Sequence, residues 1–250
     1  MSTQSLDLSI VIPCHNEEGN LRRLYRELRE VLDAQRVSYE IVITDDGSSD
    51  GTWAVLKELA LRDPRLRVQR LARNCGESTA SWAGMRIARG SYILTIDADL
   101  QNDPRDIPRF LQEMKRYDFV CGTRVNGRGS GDNLVRRISS WIANAVRNRV
   151  TREQITDSGC TYRAFRRECL NGISPFDGMH RFLPSLICMN GFKVAEIEVA
   201  NRPRVAGNAH YGILNRVFGA TLDLMAVRWM KARIIRYEVA ERFGHQEQVE

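Results

Sequence analysis

The stretch YILTIDADLQ, residues 92–101, decides how this chain folds. Its first five residues are mostly apolar and β-favouring, which predicts a short strand buried on both faces. Two carboxylates, Asp97 and Asp99, follow at the end of that strand. Such a pair is strongly repelled unless a cation compensates it, and hard oxygen ligands suit Mg²⁺ or Mn²⁺. Because a metal held in this way usually carries a phosphate, the stretch predicts a metal and phosphate site.

The sequence around this stretch alternates short apolar runs with amphipathic ones, which is typical of an α/β fold. The predicted strands are residues 8–12, 40–44, 66–70, 92–96 and 119–122. The predicted helices are residues 19–32, 51–61, 76–88 and 105–115, and Asp50 is placed to cap the second of them. Parallel strands joined by crossover helices give a three-layer, Rossmann-like sandwich, whose ligands bind at the carboxyl ends of the strands.

The second half of the chain is less regular. A basic amphipathic stretch, residues 134–150, precedes a predicted strand at residues 193–200 and a predicted helix at residues 213–241. We therefore expect a catalytic domain at residues 1–212 and an amphipathic helical tail at residues 213–250. The apolar run of the tail is too short to span a bilayer. Its mixture of apolar and basic residues predicts an interfacial membrane helix, or else a helix packed on the domain or on a second subunit.

Bulk composition narrows the possible partners. A formal charge of +6 over 250 residues and a pI near 9.2 fit an anionic substrate or an anionic membrane surface. No aromatic-studded basic groove accompanies the charge, so we expect no nucleic acid partner. The six cysteines are scattered, which argues against a zinc site or a disulfide framework. The first seven residues lack the pattern of a secretory signal, so we expect a cytoplasmic protein.

Polar segments follow the first two predicted strands. PCHNEE, residues 13–18, is weak evidence alone, because acidic residues also suit the start of a helix. DDGSSDGT, residues 45–52, contains more acids than a turn and a helix cap require. We expect one of these carboxylates to accept hydrogen bonds from a nucleobase or a ribose hydroxyl.

In combination, these motifs resemble the family 2 glycosyltransferases of the GT-A fold, which are inverting enzymes that use nucleotide sugars. The resemblance rests on IVIP with NEE, DDGSSDGT, RNCG, and DADLQ followed by proline, which are residues 10–13, 16–18, 45–52, 73–76, 97–101 and 104.

The second half resembles the polyprenyl-phosphate sugar transferases of that family. The matching segments are GTR, RRISS, DSGCTYRAFR and RVAGNAHYG, which are residues 122–124, 136–140, 157–166 and 204–212. The resemblance implies a metal-dependent hexosyltransferase on the cytoplasmic face of a membrane. It would move a mannose- or glucose-type sugar from a GDP- or UDP-linked donor to a polyprenyl phosphate.

The same resemblance implies roles for single residues. Donor-binding positions are Pro13, His15, Glu17, Asp46, Asp97, Ala98, Arg124, Arg204 and His210. Metal ligands are Asp97, Asp99 and Gln101, catalytic positions are Asp99, Arg124 and Asp157, and Arg136 and Ser140 meet the acceptor phosphate. Asp157 is the weaker of the two carboxylate candidates, because it also suits a turn. The family usually has tyrosine at position 15 and lysine at position 210, so His210 would make donor binding pH-dependent.

Two alternatives stay open at this point. One is a related glycosyltransferase that acts on a hydroxyl of a glycan, protein or lipid, which needs a catalytic carboxylate as base. The other is a noncatalytic nucleotide-sugar sensor, or a subunit of a larger membrane complex or homo-oligomer. An oxidoreductase fits poorly, because no Gly-x-Gly-x-x-Gly follows the first strand. A phosphatase with an aspartate nucleophile fits poorly too, because its Asp-x-Asp pair would end the first strand and not the fourth.

Overall fold

The computed structural model describes residues 6–124, 148–149, 155–203, 213–235 and 240–241. Its strands form a single mixed sheet. They are β1 (Leu8–Cys14), β2 (Tyr39–Asp45), β3 (Leu66–Arg70), β4 (Tyr92–Thr95), β5 (Phe119–Thr123), β6 (Arg163–Arg166) and β7 (Val194–Glu198). The spatial order is β3-β2-β1-β4-β6-β5-β7.

Helices cover both faces of this sheet. They are α1 (Glu18–Asp33), α2 (Thr52–Arg62), α3 (Glu77–Ile87), α4 (Ile107–Glu113), α5 (Leu183–Met189) and α6 (Ile213–Arg233). Short 3₁₀ turns occupy Pro104–Asp106, Arg167–Leu170 and Met179–Arg181. The predicted strands and helices of the first half are therefore confirmed to within a few residues. Of the predicted stretch at 134–150, only residues 148–149 lie within the described ranges.

Two apolar cores lie on opposite faces of the sheet because successive strand residues point to opposite sides. On β1, Ile10 and Ile12 belong to the core under α1 and α2, whereas Val11 belongs to the core under α3 and α5. All seven residues of β2 are buried, as expected for an interior parallel strand. This rigid sheet holds the carboxyl ends of β1, β2 and β4 at one edge.

The five strands predicted in the first half run parallel to one another, but the sheet also contains a strand that was not predicted. β6 runs antiparallel between β4 and β5, pairing Thr95 with Arg163 and Val120 with Ala164. The strand has only four residues, RAFR, with a charged residue at each end. That composition hides it from a search for apolar runs. The strand nevertheless brings residues 157–163 beside the end of β4.

The terminal helix α6 packs on the domain by one face. Leu224 and Val227 are buried in the core under α5, and the Arg181 guanidinium pairs with the Asp223 carboxylate at 3.1 Å. The helix ends at Arg233, earlier than predicted, where the β-branched pair Ile234 and Ile235 follows. No helix in the described ranges is long and apolar enough to cross a membrane. The boundary between a catalytic domain at residues 1–212 and a helical tail at residues 213–250 stays a prediction.

Gly47 is required by the turn after β2. Its φ is +63°, and an added Cβ would lie 2.5 Å from the backbone carbon of Arg73. We expect Gly47→Ala to lower the free energy of unfolding by at least about 2 kcal/mol, since a left-handed L-residue alone costs about 1–2 kcal/mol. Urea denaturation measures the loss. Gly19→Ala is the control, because nothing lies within 4 Å of its added Cβ, and an equal loss there would contradict the explanation.

Candidate functional site

The loops after β1 and β2 are joined by side chain to backbone hydrogen bonds. Asn16 has a φ of 56°, and its side-chain oxygen accepts the Ser49 amide at 2.8 Å. The backbone amide of Asn16 donates to the Ser48 hydroxyl at 2.9 Å, and the backbone amide of Glu17 donates to the Thr52 hydroxyl at 2.8 Å. Asp50 accepts the Thr52 amide at 3.0 Å, although the N-cap position of α2 is Gly51 and not Asp50 as predicted. These bonds hold the two loops together at the carboxyl ends of β1 and β2.

His15 is oriented beside these loops by two hydrogen bonds. Nδ1 lies 2.8 Å from the carbonyl oxygen of Asp46, so this nitrogen must carry the proton. Nε2 lies 3.2 Å from the side-chain nitrogen of Asn16, which can donate only to an unprotonated nitrogen. Both contacts favour the neutral tautomer with hydrogen on Nδ1. Pro13 and Glu17 are partly exposed beside it, and Glu17 accepts the Asn20 side-chain amide at 2.6 Å.

Asp46 has a structural task besides the predicted nucleoside contact. One oxygen accepts the Cys75 amide at 2.7 Å and the other accepts the Gly76 amide at 2.8 Å, and the residue is 4 % exposed. The carboxylate thereby ties the β2 loop to the start of α3. Each oxygen keeps a second lone pair. Donor contact by Asp46 stays a prediction.

The tripeptide after β4 places two carboxylates at the end of the sheet. Asp99 is 7 % exposed and accepts the Gln101 amide at 3.0 Å, while Ala98 is buried beneath the pair. Leu100, which lies between Asp99 and Gln101, has a φ of 65°, which non-glycine residues rarely adopt. Such a conformation costs about 1–3 kcal/mol and is common at functional sites. The turn holds Asp97 and Asp99 in one short segment.

Burial and, to a smaller extent, the negative charges of Glu77 and Asp99 raise the pKa of Asp97 to about 7. A hydrogen bond from Thr161 and the charge of Arg124 oppose this rise. Without a metal, the charged form of Asp97 is disfavoured, so the site favours the binding of a cation. Among the described residues, no three His, Cys, Asp or Glu side chains form a metal-binding group. Two carboxylates fit Mg²⁺ or Mn²⁺, because such ions take their other ligands from substrate phosphates and water.

Arg124 and Asp157, both predicted to be catalytic, form an ion pair. Arg124 Nε lies 2.8 Å from one carboxylate oxygen and a terminal nitrogen lies 3.1 Å from the other. The backbone amide of Arg124 adds a third bond at 3.2 Å, and the Asp157 side chain is 3 % exposed. Hydrogen bonding to Asp157 raises the pKa of Arg124 further above its usual range, against the effect of burial. Arg124 is therefore a fixed cation near Asp97.

Four predicted site residues, Arg136, Ser140, Arg204 and His210, lie outside the described residues. The structure adds two that sequence reasoning missed. Thr161 donates to Asp97 at 2.5 Å, and Glu77 contributes charge at the start of α3. Thr161 precedes β6, so only the pairing of β6 with β4 reveals its position.

Thr161→Val should weaken metal binding. Valine keeps the shape of threonine but removes the hydroxyl that stabilises the charged form of Asp97, so the pKa of Asp97 rises above about 7. We expect about a tenfold loss of Mn²⁺ affinity, as for other residues that orient metal ligands. Calorimetric titration near neutral pH measures it. Thr79→Val, which removes an exposed hydroxyl bonded to the Cys75 carbonyl, is the control. Unchanged affinity in Thr161→Val would contradict this role.

Comparison with known proteins identifies the class. A family model for "Glycosyl transferase family 2" matches residues 9–173. The chain belongs to this family, as the motifs predicted.

Curated relatives then define the subgroup. The chain is 35 % identical over 248 residues to a dodecaprenyl-phosphate galacturonate synthase from Rhizobium johnstonii, covering 97 % of this chain and 70 % of the relative. It is 32 % identical over 212 residues to an undecaprenyl-phosphate 4-deoxy-4-formamido-L-arabinose transferase from Aeromonas hydrophila, covering 84 % of this chain and 64 % of that protein. The chain thus spans about two thirds of such relatives, and it groups with the polyprenyl-phosphate sugar transferases.

Solved structures confirm the GT-A fold. Glucosyl-3-phosphoglycerate synthase from Mycobacterium tuberculosis, crystallised with Mn²⁺, UDP and phosphoglyceric acid, matches with a TM-score of 0.64 and 18 % identity. That match covers 92 % of this chain and 80 % of the other. A mannosyltransferase from Pyrobaculum calidifontis, solved in complex with GDP-mannose and Mn²⁺, matches with a TM-score of 0.62 and 18 % identity. That match covers 92 % of this chain and 65 % of the other.

Proposed function

We propose that this protein transfers a sugar from a nucleotide diphosphate sugar to the phosphate of a polyprenyl phosphate, with inversion at the anomeric carbon. The observation that carries the proposal is the edge of the sheet where Asp97, Asp99 and Arg124 meet. This edge combines a carboxylate pair suited to a metal with a fixed cation suited to phosphate. The names of the curated relatives support a polyprenyl-phosphate acceptor.

Asp97 and Asp99 would hold Mg²⁺ or Mn²⁺, with Gln101 beside them. When bound, the ion would offset negative charge on the diphosphate as it leaves. Arg124, held rigid by Asp157, would bind the same diphosphate. The proposed donor-binding residues around the nucleoside are Pro13, His15, Glu17, Asp46 and Ala98. Arg204 and His210 remain proposed phosphate contacts.

The ion pair of Asp157 favours a phosphate acceptor over a hydroxyl acceptor. A hydroxyl acceptor needs a carboxylate base that can approach its proton. Both oxygens of Asp157 are engaged by Arg124 instead, in a buried pair. A phosphate monoester is already anionic near neutral pH and needs no strong base. Arg136 and Ser140 are proposed to bind that acceptor phosphate, and Asp99 to help orient it.

The donor is proposed to be GDP- or UDP-linked, and we keep mannose and glucose as candidate sugars. Two relatives are named for galacturonate and for 4-deoxy-4-formamido-L-arabinose, so a uronic acid and an acylamino pentose are further candidate sugars. Thermal-shift measurements with each nucleotide sugar, with and without Mn²⁺, would identify the donor. The expected result is one donor that stabilises the protein only when the metal is present.

We further propose that the protein acts as a peripheral protein on the cytoplasmic face of the membrane, through the outer face of α6. This face consists of Leu222, Met225 and Trp229, which are 55 %, 59 % and 64 % exposed. Arg228, Lys231 and Arg233 lie on the same helix and would attract anionic lipids. A second copy of the chain or a membrane subunit is the alternative occupant.

Met225→Ser with Trp229→Ser should reduce binding to anionic phospholipid vesicles by at least about tenfold, because two large apolar contacts are lost. Flotation of the protein with vesicles measures this loss. Leu61→Ser removes a residue that is 89 % exposed on α2 and serves as the control. Equal flotation of all three proteins would contradict the membrane role, and loss of self-association in the double variant would favour the second copy.

The function is tested by incubating the protein with Mn²⁺, a labelled nucleotide sugar and undecaprenyl phosphate. The expected product is label in the lipid phase that depends on both metal and acceptor. Preferential labelling of a soluble saccharide or protein would favour the hydroxyl-acceptor alternative. Donor binding with neither transfer nor hydrolysis would favour a noncatalytic sensor.

A further inference from the structure

A small cavity lies between α3 and the Met179–Arg181 turn, next to the metal-binding segment. Its volume is about 20 Å³, which is room for a single oxygen-sized group. Its polar lining includes Ser78, Asp97, Thr161, Arg163 and His180. Because Asp97 forms part of the wall, a group that enters this cavity is also next to the site of reaction.

Arg163 is the unusual member of this lining. It is 2 % exposed, although its guanidinium carries a permanent charge. One terminal nitrogen donates to the carbonyl oxygen of His180, and the other donates to that of Ser158 at 3.0 Å. Its Nε atom is buried without a hydrogen-bond partner. Within the described residues, no carboxylate forms an ion pair with Arg163, unlike Arg124, which is paired with Asp157.

A buried cation with an unused donor is unfavourable unless an anion completes it. Leaving a buried polar group unsatisfied costs about 1–3 kcal/mol, and more for a charged group. Two neutral carbonyl oxygens orient the guanidinium but do not neutralise it. Arg163 lines the cavity, and its buried, unused Nε–H points to an anionic ligand oxygen that completes the guanidinium.

We infer that Arg163 binds one oxygen of the acceptor phosphate. This inference rests on the proposed function, and it adds to that function a binding residue from β6. In an inverting transfer, the attacking oxygen and the leaving diphosphate lie on opposite sides of the anomeric carbon. The diphosphate has its own proposed partners in the metal ion and Arg124, so the attacking phosphate needs separate cations, of which Arg136 is one proposed above. Arg163 supplies a further cation. It lies at one end of the segment 158–163, whereas Asp157, the partner of Arg124, directly precedes the other end.

The rest of the cavity suits this role. Trp82, Met85 and Leu183 form apolar walls that exclude water, which strengthens the attraction between Arg163 and an anionic oxygen. The turn above is held in place because the Ser78 hydroxyl accepts the Gly178 amide at 3.0 Å and lies 2.6 Å from His180 Nδ1. The same water exclusion would limit hydrolysis of the donor.

Inorganic phosphate is the probe, because its binding requires no turnover. Calorimetry in the presence of Mn²⁺ and nucleoside diphosphate measures phosphate affinity in wild type and in Arg163→Met. We expect the variant to bind phosphate about 10- to 100-fold more weakly, the range for a lost hydrogen bond between charged groups. Nucleoside diphosphate affinity should stay within about twofold, because the diphosphate is assigned to the metal ion and Arg124 and not to Arg163.

Two further variants separate binding from folding. Arg163→Lys keeps the charge but not the Nε geometry and should restore part of the phosphate affinity. Arg166→Met removes a guanidinium at the other end of β6, where it pairs with Asp118, and should leave phosphate affinity unchanged. Equal phosphate affinity in wild type and Arg163→Met would overturn the inference. So would parallel losses of phosphate affinity, nucleotide affinity and thermal stability in Arg163→Met, which would mark a purely structural residue.

Steady-state transfer then identifies the source of the anionic oxygen. For an acceptor phosphate, Arg163→Met raises the KM for polyprenyl phosphate and leaves the KM for nucleotide sugar unchanged. A rise only in the KM for a uronic acid donor would assign the cavity to a sugar carboxylate and overturn the inference. If wild type binds phosphate through Arg163 but transfers no sugar to lipid, then the proposed function fails while the anion site stands.

Discussion

Asp97→Asn is expected to abolish metal-dependent donor binding and to lower sugar transfer by about 10²-fold or more, the usual loss for a group that stabilises charge in the transition state. The substitution keeps the size of the side chain and leaves an oxygen that can accept the Thr161 hydroxyl. It removes the negative charge that the metal requires. Calorimetric titration with Mn²⁺, followed by the transfer assay, measures both effects.

The stability of the same variant tests why Asp97 binds metal. Burial and the charges of Glu77 and Asp99 raise the pKa of Asp97 to about 7, whereas an unfolded aspartate titrates near about 3.9. The fold therefore favours the protonated form, and this contribution to stability is lost as the pH rises from about 4 through about 7. Metal-free Asp97→Asn should consequently have an equal or higher Tm than wild type above neutral pH.

Added Mn²⁺ should reverse this order above neutral pH, because it stabilises wild type alone. Asp118→Asn is the control, since this partly exposed carboxylate pairs with Arg166 at the other end of β6. If Mn²⁺ raised the Tm of Asp97→Asn as much as that of wild type, Asp97 would not be a metal ligand.

Asp157→Asn is expected to destabilise the protein by about 3 kcal/mol and to weaken donor binding together with transfer. Removing one partner of a buried ion pair leaves an uncompensated charge, which costs about 3–5 kcal/mol. Asparagine offers one acceptor oxygen where Asp157 receives two bonds from the Arg124 side chain. Arg124 would then lose the orientation in which we propose that it binds the diphosphate. Urea denaturation and donor titration measure the two losses.

The pattern of kinetic loss distinguishes this account from a general-base role. If Asp157 acts as a base, its substitution lowers turnover but leaves donor affinity intact. If Asp157 positions Arg124, its substitution weakens donor affinity as well. The double variant Arg124→Met, Asp157→Met removes both charges, so it should be more stable than Asp157→Asn. A double variant as unstable as the sum of its single variants would contradict the importance of the pair.

Much of the first half could be predicted from the sequence because its signals are local. The apolar runs of β1, β2 and β4 are bounded by polar turns, and α1 shows apolar residues at helical spacing. β6 was missed because its position depends on pairing with β4 and β5, not on its own composition. The early end of α6 at Arg233 was also missed, since the amphipathic pattern continues beyond it.

The site was predictable where a motif marks it and not where tertiary contact creates it. Asp97 and Asp99 stand out because two acids follow an apolar strand. The pairing of Arg124 with Asp157, and the bond from Thr161 to Asp97, join segments more than 30 residues apart. Arg163 was visible only as part of a motif, and its buried, partly unsatisfied guanidinium emerges from the folded sheet.

The central claim is attack by an acceptor phosphate on the anomeric carbon, and the released nucleotide tests it most directly. With purified protein, Mn²⁺, a nucleotide sugar and undecaprenyl phosphate, phosphorus NMR follows both products in one sample. The account predicts one nucleoside diphosphate released for each lipid-linked sugar, joined through a single phosphate with inverted configuration. Release of nucleoside monophosphate with a lipid diphosphate sugar, or retention of configuration, would contradict it.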